Sequence, residues 1–172
     1  MKELRGFRKI KKLLIVCTII FFAVIISACS TEAQAISGES FTITLSVRTD
    51  TLIDNMNLLD REKHEIIPDN NIIFYEIVVV RDGDSVFDVL QREMRNAGIH
   101  MAFRNTPIIN SVYIEAINNL YEFDAGALSG WKYSVNGRFP GVSASSYNLN
   151  PGDVVEWHYT LNLGRDLDGF GE

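Results

Sequence analysis

Residues Phe41 to Arg48 (FTITLSVR) alternate apolar and polar positions without a break. A period of two marks a strand with one buried face, so Phe41, Ile43, Leu45 and Val47 are expected to point inward. From Asp50 to Asn71 this order is lost. Leu52, Ile53, Leu58 and Leu59 precede a charged run from Asp60 to Lys63 and then Pro68, which predicts a long excursion with one helical turn. Ile72 to Val80 (IIFYEIVVV) is rich in β-branched and aromatic residues and predicts a buried strand. After a turn at Arg81 to Asp84, Ser85 stands three residues before Asp88, the spacing of a capping box. Phe87, Leu90, Met94 and Ala97 follow at helical spacing, and Gly98 supplies a stop.

The second half predicts short strands. Ile99 to Phe103 and Ser111 to Ile117 are candidates, the latter broken by Asn118 and Asn119. Trp131, Tyr133 and Val135 alternate with Lys132, Ser134 and Asn136, and Asn136-Gly137 is a hairpin turn signal. Pro151-Gly152-Asp153 predicts another turn, and the last strand, Val154 to Thr160, places Val155, Trp157 and Tyr159 on one face. The tail after Gly164 is acidic and glycine-rich and is expected to fray. One main helix on a mixed sheet gives an α+β fold class.

The N-terminus changes the picture. Lys2, Arg5, Arg8, Lys9, Lys11 and Lys12 precede Leu13 to Ile26, a run of 14 residues without a charge. A basic start and a short apolar stretch form a secretory signal pattern. Fourteen residues fall short of the roughly 20 that a membrane-spanning helix needs. The run ends in Ile26-Ser27-Ala28-Cys29, which resembles a bacterial lipobox. The expected organisation is a signal peptide at 1–28, a lipidated Cys29 and tether at 29–40, a folded domain at 41–166 and a flexible tail at 167–172. This places the domain at the extracytoplasmic face of a cell membrane, held through lipid on Cys29. A plain signal peptide or N-terminal anchor with an incidental Cys29 is the other reading, and it too exports the domain. Cys17 lies inside the apolar run, so the folded part has no thiol for nucleophilic, disulfide or thiolate-metal chemistry. The overall charge of −6 includes the basic start, so the remainder is more acidic still, which argues against nucleic acid as a partner.

Several stretches then carry a resemblance. Ser129 to Gly137 (SGWKYSVNG), Ser145-Ser146-Tyr147 and Gly152 to Thr160 (GDVVEWHYT) are similar to the transcobalamin-like C-terminal domain family, a domain of largely unknown function found in bacterial surface proteins and lipoproteins. Gly83 to Leu90 and Tyr113 to Asp124 also fit. The resemblance spans about Phe41 to Asp166. It implies a β-grasp-like mixed sheet. In the animal cobalamin carriers a similar domain closes over the corrinoid while an α/α barrel holds the other side. The resemblance therefore implies a small-molecule ligand, with cobalamin or another flat molecule the candidate, and an α/α-barrel or transporter partner.

The candidate contact residues are Trp131, Tyr133, Val142, Ser143 and Tyr147. Aromatic faces beside the Phe139-Pro140-Gly141-Val142 loop suit a flat ligand. Alternatively, Trp131 and Tyr133 fill the core behind the hairpin, with Lys132, Ser134 and Asn136 toward solvent. His64, His100 and His158 sit in no zinc spacing, and Asp166 and Asp168 lack the remainder of a calcium loop. No Gly-x-Ser-x-Gly elbow, phosphate loop or His-Glu-x-x-His occurs, so no catalysis and no resident cofactor or metal are expected. Two functions stay open: a non-catalytic ligand-binding module, or a cell-surface module that docks a protein or cell-wall polymer.

Overall fold

A computed structural model describes residues 40–106 and 111–171. The expected signal segment, Cys29 and the tether up to Glu39 lie outside the described residues, as do 107–110 and Glu172. The elements run β1 (Phe41–Arg48), β2 (Ile72–Val80), α1 (Val86–Ala97), β3 (Met101–Thr106), β4 (Ser111–Ile117), β5 (Leu120–Tyr121), β6 (Gly130–Val135) and β7 (Val154–Thr160). The result is mixed α+β, mostly sheet, with one main helix among the described residues. No described helix is long and apolar enough to cross a membrane.

Two sheets form. The first has the order β2-β1-β7-β6, with β1 parallel to β7 and the other neighbours antiparallel. The second is the antiparallel set β3-β4-β5. The alternation in β1 is realised, with Ile43, Leu45 and Val47 buried and Phe41 half-buried. They meet Val155 and Trp157 of β7, whose partners Val135 and Tyr133 on β6 continue the same face. α1 covers this face with Val86, Phe87, Val89, Leu90 and Met94, and Phe87 packs edge-on against Phe103 of β3 at 4.9 Å.

The capping box forms as expected. Asp88 N–H donates to Ser85 Oγ at 3.2 Å, and Ser85 N–H donates to Asp88 Oδ2 at 2.9 Å. Gly98 ends the helix with φ +69°, a left-handed conformation that favours glycine. Ala97, the last residue of the helix, is exposed rather than on the packed stripe.

Two expectations need correction, for β2 and for the Asp50–Asn71 excursion. β2 is an edge strand, not a buried one: Tyr75, Ile77 and Val79 on its outer face are 60%, 71% and 53% exposed. A run apolar on both faces predicts a strand covered on both sides, but here only Val78 and Val80 are buried. The Asp50–Asn71 excursion contains three short 3-10 stretches, Asp50–Leu52, Met56–Leu58 and Arg61–Ile66, rather than one turn. Asn118 and Asn119, with φ of 53° and 61°, end β4 by turning it directly into the short β5. Asn136 and Gly137 also take positive φ, of 52° and 75°, but the returning arm pairs only at Arg138. Phe139 and Pro140 follow, and proline has no N–H with which to extend a ladder.

The tail packs instead of trailing away. The Asp166 carboxylate accepts from Thr160 Oγ1, from Leu161 N–H at 2.7 Å and from Asn162 N–H at 3.3 Å. Its aspartate thus closes a turn, and Phe170 lies edge-on against Phe139 at 5.4 Å. A Cβ on Gly164, whose φ is +97°, would fall 2.5 Å from the Phe170 ring, so the close approach requires glycine there.

Candidate functional site

β6 is the edge strand of the first sheet opposite β2, and β4 belongs to the second sheet. Between them lies an open groove of about 460 Å³. Trp131, Tyr133 and Trp157 line it from the first sheet, Val112, Tyr113 and Ile114 from β4, and the 139–144 loop and Phe170 from the roof side.

The aromatic residues of the groove are built into the core. Trp131 is 6% exposed, packs edge-on against Tyr159 at 5.2 Å, and donates its indole N–H to Leu120 O at 2.9 Å. Tyr133, 9% exposed, lies 5.4 Å from Trp157 and 6.1 Å from Tyr147. Its hydroxyl donates to Val142 O at 2.8 Å, tying the roof loop to β6. Burial pushes the Tyr133 hydroxyl up to about 12, with a smaller contribution from Tyr147, so it stays a neutral donor. The core-filling alternative therefore describes where Trp131 and Tyr133 point, and the groove opens beside them.

The roof is held by short polar links. Ser143 Oγ donates to Val112 O at 3.3 Å, and Val112 N–H donates to Ser143 Oγ at 3.3 Å and to Ser145 Oγ at 3.2 Å. Val142 is 52% exposed beside this anchor. Tyr113 donates its hydroxyl to Glu122 at 2.5 Å, and burial together with that carboxylate raises it to about 12. Arg104 lies 4.5 Å over the Tyr113 ring and binds Glu115 and Glu122 at 2.8 and 3.2 Å.

Four of the five expected contact residues, Trp131, Tyr133, Val142 and Ser143, line one groove. Tyr147 does not. Its ring is half-buried against Tyr133, and its carbonyl accepts Val86 N–H at 3.3 Å, supporting the start of α1. Sequence reasoning missed the β4 wall, Trp157 and Phe170. Phe170 alone carried a signal, being a lone aromatic in a glycine-rich acidic tail.

A second concavity lies on the opposite face of β6 and β7, lined by Ser134, Glu156, His158 and Asp166. His158 Nε2 is 3.1 Å from Ser134 Oγ, and its ring lies 5.6 Å from Phe139. Burial lowers its pKa, against the pull of Glu156 and Asp50. His64 sits elsewhere, 3.2 Å from Leu59 O, and His100 lies beside Tyr121. Among the described residues no group of three or more histidine, cysteine or acidic side chains is placed to hold a metal.

Residues 83–160, from the turn before α1 to the end of β7, match the family model described as Domain of unknown function (DUF4430). The crystal structure of haptocorrin in complex with Cbi superimposes with a TM-score of 0.54 at 16% identity, covering 73% of this chain and 26% of haptocorrin. The chain thus spans about a quarter of that protein, and at this identity the likeness establishes the fold. A candidate metal-binding protein from Ruminococcus gnavus gives a TM-score of 0.44 at 15% identity, over 70% of this chain and 96% of that one. No curated protein sequence matches.

Proposed function

We propose that this chain is a non-catalytic ligand-binding module, lipid-anchored through Cys29 on the extracytoplasmic face of a membrane, which takes a flat small molecule in the β4–β6 groove. The observation that carries the reading is the groove itself. Trp131, Tyr133 and Trp157 form a fixed apolar wall beside an exposed loop residue, Val142. A concave, mostly apolar site with a few placed polar groups is what small-molecule recognition uses. The β-grasp-like reading and the likeness to haptocorrin, solved with Cbi, make corrinoids the first class to test. An open groove of about 460 Å³ takes one face of a large planar ligand. A second surface, from an α/α-barrel or transporter partner, would then hold the other face.

The test is direct because the chain has two tryptophans and both line the groove. Cobalamin and cobinamide are titrated against intrinsic fluorescence, corrected for absorption by the corrinoid. Saturable quenching that is lost in Gly141→Phe supports the corrinoid reading. No saturable signal at millimolar ligand removes it. Anchoring is tested separately by labelling cells with radioactive palmitate, where Cys29→Ser should abolish incorporation and release the protein from membranes.

A docking module is the second reading, and one observation favours it. The exposed row Tyr75, Ile77 and Val79 on edge strand β2 is an apolar strip of the kind that meets a partner surface. Loss of a surface partner on Ile77→Lys, with corrinoid titrations unchanged, would support it.

A further inference from the structure

The hydrogen bonds already made within the groove narrow the chemistry of its ligand. Most polar groups that line it are already committed. The Tyr133 hydroxyl is spent on Val142 O, the Tyr113 hydroxyl on Glu122, and Ser143 Oγ on Val112 and Ser145. The Trp131 indole is spent on Leu120 O. Two lining side chains with polar groups remain uncommitted among the described residues, and both are donors. The Trp157 indole N–H is buried with no acceptor. Lys132, half-buried, has no ion pair and rests 5.7 Å from the centre of the Phe170 ring. Lys132 is also the one charged side chain among the described residues that line the groove.

The Trp157 N–H has no exposed surface, so of the two it is Lys132 that a ligand can meet. An ammonium beside apolar walls favours an anion over a neutral group, because the walls weaken its screening by water. Among the described residues no acidic side chain lines the groove to offset it. Long-range attraction is not an alternative source of such a preference, since the chain carries a net charge of −6 and repels anions at a distance.

Resting on the ligand-binding reading above, we infer that the groove selects planar molecules bearing an anionic acceptor group, a carboxylate, phosphate or sulfonate, which Lys132 receives while the ring system lies on the aromatic wall. Lys132 is thereby a specificity-determining residue. Its cation–π contact with Phe170 is the resting arrangement that the anion replaces.

The experiment uses two fluorophores of similar ring system. One is 8-anilinonaphthalene-1-sulfonate, which carries the anion. The other is N-phenyl-1-naphthylamine, which does not. Binding is read by energy transfer from Trp131 and Trp157, and Gly141→Phe distinguishes probe in the groove from probe elsewhere on the domain. The sulfonate should bind more tightly than the neutral probe. Lys132→Gln should weaken the sulfonate about fivefold or more and leave the neutral probe within about twofold. Lys132→Arg should restore the preference. Raising salt from about 50 to about 500 mM should weaken only the sulfonate. Gly141→Phe should block both probes, since no atom lies within 4 Å of a Cβ at that position to disturb the fold. If both probes bind equally and Lys132→Gln changes neither, the anion inference fails while the groove reading stands. If neither probe shows transfer, or Gly141→Phe leaves both unchanged, the groove reading fails and takes the inference with it.

Discussion

Replacing Tyr133 with phenylalanine separates its two roles. The ring packs against Trp157 and Tyr147, and the hydroxyl holds Val142 O at 2.8 Å. Tyr133→Phe keeps the ring contacts and removes only the tether. A neutral hydrogen bond is worth about 0.5–1.5 kcal/mol net. Val142 is 52% exposed, so water reaches the freed carbonyl and the cost falls toward the lower end, about 0.5–1 kcal/mol. Tyr133→Ala instead leaves a cavity under Trp157 and should cost about 3–5 kcal/mol. The measurement is urea unfolding at neutral pH, followed by tryptophan fluorescence on both variants. A second arm repeats the groove-probe titration, where a looser 139–143 loop should weaken binding by up to about fivefold in Tyr133→Phe. The hydroxyl is raised to about 12 from an ordinary value near 10, so its contribution is complete below pH 10 and is lost as pH rises through 12. Tyr133→Phe should erase that alkaline component. A stability loss in Tyr133→Phe matching that of Tyr133→Ala would refute the division into a packed ring and a water-accessible tether.

Three further outcomes are expected. Ser85→Ala removes the arm that Ser85 Oγ accepts from Asp88 N–H, while the backbone N–H of residue 85 can still donate to Asp88, and should lower stability by about 1 kcal/mol in the same urea assay, with Ser85→Asp largely preserving it. Gly164→Ala introduces a Cβ into the Phe170 ring at a φ that L residues avoid, so the tail should be displaced. Faster tryptic cleavage after Arg165, exposed beside that turn, should report it. Tyr159 is fully buried, donates to Tyr121 O at 2.8 Å, and burial raises it to about 12. Its raised pKa stabilises the fold by up to about 3 kcal/mol below pH 10, and that is lost toward pH 12. Late phenolate absorbance coinciding with loss of near-ultraviolet circular dichroism should show this, whereas full ionisation near pH 10 with the signal intact would contradict it.

Much of the fold was legible because its signals are local. The alternation of β1, the Ser85–Asp88 cap, the Gly98 stop and the final strand each depend on residues a few positions apart. β2 failed for a physical reason. Its composition reports propensity on both faces, but whether the outer face is covered depends on whether another strand or layer lies there, and none of the described elements covers Tyr75, Ile77 and Val79. The groove was half legible. The β6 aromatics and the 139–143 loop are near each other in sequence, whereas the opposing β4 wall and Phe170 arrive only through tertiary packing. Tyr147 was misplaced because a motif match fixes its position in the chain but not the direction of its ring.

The groove divides into parts of unequal stiffness, and this bears on what it could discriminate. Trp131, Tyr133 and Trp157 are each below 10% exposed and interlocked with the sheet core, so altering them alters stability as well as shape. Val142 and Phe170, on the roof side, are held by a few local links: the Tyr133 hydroxyl, the Ser143–Val112 bonds, the turn closed by Asp166 and the Phe139–Phe170 contact. Segments with few buried contacts open at low free energy, and these are where adjustable recognition resides. A ligand bound here would meet a constant aromatic floor and a variable rim. Substitutions at Val142 or Lys132 should therefore change selectivity at little cost to folding, whereas equivalent changes at Trp131 or Trp157 should be felt first as instability. The pairing of Trp157 with Tyr133 makes this coupling concrete. The one buried side-chain donor without an acceptor among the described residues, the Trp157 indole N–H, sits on a side chain too deeply packed to move, so it is a standing cost that the packing around Trp157 and Tyr133 has to offset.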